Sequence, residues 1–137
     1  MKKFKQICLI PCSGFNILGE SARRASGIVS EIEMSDVAET LDLVGVTKAF
    51  MTGHFNAASP IIKRMKKQKV ITIEGCEYCC ATGLIELMGI KPVEKIILRH
   101  FLALEEREDE LSKITSVTEE DIRKSVDIIK RCIESVK

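Results

Sequence analysis

The stretch VITIEGCEYCCATGLIELMGIKPVEKIIL, residues 70–98, decides the fold. Val70 to Ile73 is a short β-branched run, which predicts a central strand. Ala81, Leu84, Ile85 and Met88 then recur at helical spacing and form one apolar face. That face stops at Gly89, where a left-handed residue can end the helix. Val93 to Leu98 predicts a further strand. Strands alternating with helices favour a parallel sheet covered on both faces.

The flanking segments extend the same alternation. Toward the N-terminus, Ser59-Pro60 is a helix start, a cap followed by proline at the first helical position. Gln6 to Pro11 (QICLIP) is a short apolar run closed by a glycine-containing turn, as expected of a buried strand. From Ile17, the residues Leu18, Ala22, Ala25, Val29 and Ile32 mark one face of a helix of about four turns. Ser35 or Asp36 is placed to cap a second helix through Leu43 or Val44. The overlapping segment VGVTKAFM, residues 44–51, reads equally as a strand. Toward the C-terminus, Thr118 to Asp121 resembles a capping box with Asp in place of Glu or Gln. Ile122, Val126, Ile129, Ile133 and Val136 line a closing helix. The expected fold is one α/β domain over residues 1–137, a small, mostly parallel sheet flanked by helices, with extra helices at the C-terminus.

Composition bounds the function. A chain of 137 residues has room for one domain with a real core. Lys+Arg 21 against Asp+Glu 20 lacks the basic excess of a general nucleic-acid binder. With 4% aromatic residues and no tryptophan, a base-stacking platform is also excluded. No apolar run approaches the roughly 20 residues of a membrane-spanning helix. The opening MKKFKQICLIPCSG has a basic head, but Pro11 interrupts its apolar stretch and no small-residue cleavage site follows. A soluble, cytoplasmic protein is expected, with no nucleic-acid or membrane partner. Whether it meets a small molecule or another protein, and in what oligomeric state, is not encoded in these patterns. The run Lys63 to Lys69 has five cations in seven residues. It suits the solvated C-terminal end of a helix, or an anionic partner. The acidic run at residues 105–110 reads as a solvated face.

Cysteine is the compositional anomaly. Six in 137 is too few for a disulfide scaffold and generous for an ordinary intracellular domain. Cys12 follows the first strand and precedes Ser13-Gly14 and a helix. Cys76 follows the VITI strand and Glu74-Gly75, and it too precedes a helix. Both therefore belong to strand-to-helix turns, at the sheet edge where ligands of parallel sheets collect. Cys79 and Cys80 lie three and four positions beyond Cys76, close enough to share one side of a first helical turn. The positive end of that helix favours the thiolate, the form that binds metal and attacks electrophiles. Zinc takes four ligands in a tetrahedron. Cys12, Cys76 and Cys80 supply three, with Cys79, His54 or water as the fourth. Cys8, inside the first strand, and Cys132, beside the apolar face of the last helix, read as small buried hydrophobes.

The segments LIPCSGFNILGESARRAS and ITIEGCEYCCATGLIEL resemble the DGC-domain family of small zinc-binding proteins. Its signature is a Cys-Ser-Gly turn after the first strand, then Asp-Gly-Cys-x-x-x-Cys after a later one. Cys12-Ser13-Gly14 matches the first element, and Glu74-Gly75-Cys76 with Cys80 the second, with Glu in place of Asp. The likeness covers about residues 7–98 and leaves a helical extension at about 103–137 outside it. Family members often carry a further cysteine between the two turns, and this chain has none between Cys12 and Cys76. The metal site that the resemblance implies must then be completed by Cys79 or His54, or it is incomplete. The resemblance implies zinc and names no reaction.

Other readings compete. Cys76-Glu77-Tyr78-Cys79 is a C-x-x-C at a strand-to-helix turn, the placement of dithiol redox proteins. Such a pair could also pass sulfur or persulfide by thiol exchange, but it leaves Cys12 and Cys80 unexplained. Residues 12–21 are similar to the phosphate loop of low-molecular-weight tyrosine phosphatases. That chemistry needs an arginine at the loop's end, where this chain has Leu18-Gly19-Glu20 and holds Arg23 and Arg24 a turn later. His54 suits a solvated loop or a fourth ligand, and His100 follows the last strand. Glu74 is a candidate hydrogen-bond acceptor behind a ligand, a general base, or a residue that orients the turn. Ser13, Gly14 and Gly75 shape the two turns, and their N–H groups can face a thiolate or anion.

Overall fold

The computed structural model describes residues 5–12, 14, 16–52, 60–75, 79–102 and 117–137. Four strands, β1 (Ile7–Pro11), β2 (Ala38–Thr40), β3 (Lys69–Glu74) and β4 (Glu94–Ile97), form one sheet in the order β2-β1-β3-β4. Every neighbouring pair is parallel. In the centre, Ile7 lies beside Lys69 and Pro11 beside Ile73. Five α-helices accompany the sheet among the described residues: α1 (Ile17–Ile28), α2 (Leu43–Thr52), α3 (Pro60–Lys66), α4 (Cys80–Leu87) and α5 (Glu119–Val136).

The period-two alternation of β1 and β3 sorts the core into two halves. Ile7 and Leu9 of β1, with Ile71 and Ile73 of β3, pack against α1 and against Val126, Ile129 and Ile133 of α5. Cys8 and Ile10, with Val70, face Leu43 and Val46 of α2, Ile62 and Met65 of α3, and Ala81 and Ile85 of α4. Each fully buried Ile or Leu contributes about 1.5–3 kcal/mol relative to exposure. Both central strands are therefore buried on both faces. Helix α5 belongs to the same core as α1, and its N-terminus carries the reciprocal capping box of Thr118 and Asp121.

Two expected elements differ. The face predicted to run from Ile17 to Ile32 ends in α-helical form at Ile28, and Val29–Glu33 is a π-helical turn closed by the Met34 N–H on the Val29 carbonyl. The wider turn resets the helical phase, and Ile32 swings out to 71% exposure. The helix expected from Ser35 or Asp36 is absent: residues 35–37 turn, and Ala38–Thr40 pairs with β1. Pairing along the open side of β1 outweighs the weak local preference of Ala-Glu-Thr. The cap lies later, where Asp42 accepts from the N–H groups of Val44 and Gly45 and starts α2. The segment 44–51 is thus helical.

The basic run closes α3 and opens β3. Arg64 pairs with Glu39 at 2.6 Å, and the Lys69 ammonium donates to the Val136 carbonyl at the end of α5. These cations answer a carboxylate and a helix C-terminus within the fold. No helix among the described residues is long and apolar enough to cross a membrane.

Candidate functional site

Between β1 and β3 the chain order reverses: β2 lies on one side of β1, and β3, which follows β2 in sequence, lies on the other. Such a reversal opens a crevice at the carboxyl ends of the strands. Cys12 sits at this point. Its N–H donates to the Ile73 carbonyl at 2.8 Å and carries the β1–β3 ladder one residue past the strand. The half-buried thiol accepts the Gly14 N–H at 3.3 Å, a bond that strengthens when the sulfur is anionic.

Helix α1 holds the Cys12 turn. Asn16 caps it by accepting the Gly19 N–H at 2.8 Å. One nitrogen of the Arg23 guanidinium reaches back to the carbonyls of Cys12, at 3.2 Å, and Gly14, at 2.7 Å. The other pairs with Glu20 at 3.1 Å, and Arg24 meets the second Glu20 oxygen at 2.9 Å. Burial works to raise the Glu20 carboxyl, but the hydrogen bonds from Arg23 and Arg24 outweigh it and hold the group below the ordinary glutamate range. This geometry also disposes of the phosphatase likeness. The Arg23 nitrogens that would bind a phosphoryl group are engaged by loop carbonyls and a carboxylate.

Two glycines allow the close packing. A Cβ at residue 19 would stand 2.0 Å from the Gly14 carbonyl oxygen, which no side chain can tolerate. A Cβ at residue 75 would stand 3.0 Å from that of Leu18. The turns after β1 and β3 therefore both lie against the first turn of α1. The Gly75 carbonyl also accepts the Arg99 N–H at 3.2 Å, which links this turn to the segment after β4.

On the β3 side, Glu74 is 1% exposed and lies in register with Ile97. Its carboxylate accepts the N–H groups of Ala81, at 3.2 Å, and Thr82, at 2.7 Å. It is the cap of α4, provided from the neighbouring strand. The Thr72 and Thr82 hydroxyls, 2.7 Å apart, add a second buried link. The positive end of α4 thus already holds a buried carboxylate on two of its N–H groups. Glu74 orients the turn. Cys79 precedes the helix with φ 52, the single non-glycine residue with positive φ among those described, and provides no side-chain cap. Cys79 is half-buried and Cys80 is exposed.

Cys76, Ser13 and His54 lie outside the described residues. His100 is exposed, in the short turn after β4, one strand away from the β1–β3 crevice. Among the described residues, no three His, Cys, Asp or Glu side chains are gathered closely enough to hold a metal ion, and no described cysteine is in a disulfide. Cys8 and Cys132 pack in or against the two halves of the core. Burial, with Glu39 nearby, pushes the Cys8 thiol up to about 12, and burial, with Glu94, pushes Cys132 up to about 11. Both are protonated, apolar fillers at neutral pH. A cavity of about 720 Å³ beside the start of β2, lined by Asp36, Asp127 and Arg131 among others, contains none of the cysteines.

Residue patterns alone missed the roles of Asn16, Glu20 and Arg23. Asn16 bears a cap signature just ahead of the apolar face, so its role was available to inspection. The return of Arg23 to the loop has no local signature. No curated protein and no solved structure matches the chain. The family model of the DGC domain matches residues 8–129, beyond residue 98 and into α5. With the Cys-Ser-Gly turn after β1 and the Gly-Cys turn after β3 on adjacent strands, the chain belongs to the DGC-domain family.

Proposed function

We propose that the protein binds one zinc ion through cysteines of the turns after β1 and β3. Cys12, Cys76 and Cys80 are the proposed donors, with Cys79 or His54 available as the fourth. The observation that carries the reading is the Cys12 turn itself. It is continuous with the β1–β3 ladder through the 2.8 Å bond from Cys12 to Ile73, and its sulfur already accepts a main-chain N–H. Among the described donors, Cys12, Cys79 and Cys80 are free of disulfides, and soft thiol donors suit a four-coordinate zinc ion. Family membership supports a metal-binding role. Cys76 is the central donor in this reading, because the described donors do not form a triad without it.

Bound there, zinc would act as a structural cross-link if all four positions were protein ligands, or as a Lewis acid if one stayed open. The chain's own part is to fix the donors. Arg23, Gly19 and Asn16 set the Cys12 turn, and Glu74 sets the start of α4.

The test is elemental analysis of untagged protein purified without oxygen, with reactive thiols counted before and after chelation. About one zinc per chain, with three or four thiols appearing on its removal, supports the reading. A metal-free protein that forms a reversible disulfide between Cys76 and Cys79 overturns it in favour of thiol redox or sulfur transfer.

A further inference from the structure

We propose that Arg23, anchored by Glu20, is a positioning residue that latches the Cys12 turn and aims its sulfur at the metal. The inference rests on Cys12 being a zinc ligand and adds a residue that touches no metal. Its basis is the bonding of a single guanidinium. One nitrogen spans the carbonyls of Cys12 and Gly14, the residue itself and the one whose N–H meets its sulfur. The other nitrogen is tied to Glu20, one helical turn earlier on α1. Below the turn, the Gly14 carbonyl rests on Gly19 with no space for a Cβ. The carbonyl oxygens of residues 12 and 14 are thus fixed from the side by Arg23, and the second also from beneath by the helix backbone.

The bonding of Arg23 exceeds that of a surface ion pair. An i,i+3 pair of Glu20 with Arg23 alone would add little to stability. Here the arginine also donates to two carbonyls of the loop, those of Cys12 and Gly14. Lysine cannot reproduce this, because a point charge lacks the fork that serves a carbonyl pair and a carboxylate at once.

The probe is Co²⁺, titrated into metal-free full-length protein and read by its sulfur-to-cobalt charge-transfer band, with apo-protein thermal melts alongside. Residues that orient metal ligands typically cost roughly ten- to a hundredfold in affinity when removed. R23Q is expected to fall in that range with its apo melt nearly unchanged. R23K should recover only part of the loss, and E20Q should show a smaller loss in the same direction. C12S should bind Co²⁺ more weakly and, when saturated, lose the share of the thiolate band that one of three or four sulfurs supplies. If R23Q and E20Q bind Co²⁺ like the wild type while C12S does not, the latch is overturned and Cys12 stands as a ligand. If C12S binds like the wild type, the ligand reading fails and the latch with it. If R23Q lowers the apo melt in proportion to its affinity and R23K restores both fully, Arg23 merely holds the fold and the proposal is overturned.

Discussion

Glu74 shows how one buried charge is made tolerable. Its two oxygens each accept a backbone N–H at the start of α4, so a carboxylate that is 1% exposed still meets hydrogen-bond donors and the positive end of a helix. Glu74→Gln keeps the volume and removes the charge, and should cost on the order of 1–3 kcal/mol in urea unfolding. An unchanged midpoint would show that the carboxylate does not cap α4. The two core thiols give a pH test. Folding raises them from the ordinary 9.0 to about 12 for Cys8 and about 11 for Cys132. Above pH 9 the unfolded chain therefore loses protons that the folded chain keeps. Their contribution is complete below pH 9 and is lost as pH rises toward those folded values. Wild-type stability should fall more steeply between about pH 9 and 11 than that of a Cys8→Ala, Cys132→Ala double variant. Parallel slopes would contradict the burial account. At this scale the sequence was readable where chemistry is local: the Thr118 capping box, the buried Cys8 and the half-buried Cys132 follow from their own neighbours. Arg23 was not readable, since its partners lie nine and eleven residues back and are carbonyls that every residue has.

Helix α1 does more than cover the sheet. Its first turn is the surface against which the turns after β1 and β3 are both packed, and Gly19 and Gly75 are the positions where backbones approach. Gly19→Ala ordinarily favours a helix by about 0.5–1 kcal/mol. Here the Cβ must push the Gly14 carbonyl aside, so the Cys12 thiol should alkylate at a changed rate in the metal-free protein while helix content is kept. An unchanged rate, resolved by mass spectrometry, would mean that the turn is not seated on α1. At the far end, α5 packs Val126, Ile129 and Ile133 into the core that α1 shares. Ile129→Ala should destabilise the whole protein by about 2–5 kcal/mol in a single unfolding transition. Separate melting of α5 would contradict the shared core. Apolar spacing revealed α1, α4 and α5 because each buries one stripe. It overran α1 because a π-helical turn changes the phase without changing the letters. It missed β2 because three residues on an edge strand carry no alternation to detect.

Across the molecule, the site is a consequence of strand order. Parallel pairing sends every strand's carboxyl end to one edge, and the order β2-β1-β3-β4 makes β1 and β3 neighbours. Positions 12 and 76, more than sixty residues apart in sequence, thereby follow adjacent strands. The alternation of strands and helices made the parallel sheet legible. The strand order was not, because a short run such as VITI, buried on both faces, does not specify its neighbour. Nor could spacing reveal that Glu74 would share the α4 terminus with the cysteines. The central claim, one zinc held by the two turns, is tested most directly by X-ray absorption at the zinc edge on anaerobically purified protein. A shell of three or four sulfurs at about 2.3 Å, reduced by one in Cys12→Ser and by one in Cys76→Ser, is the predicted result. A shell made only of nitrogen and oxygen at about 2.0–2.2 Å, or one that neither substitution alters, would contradict it.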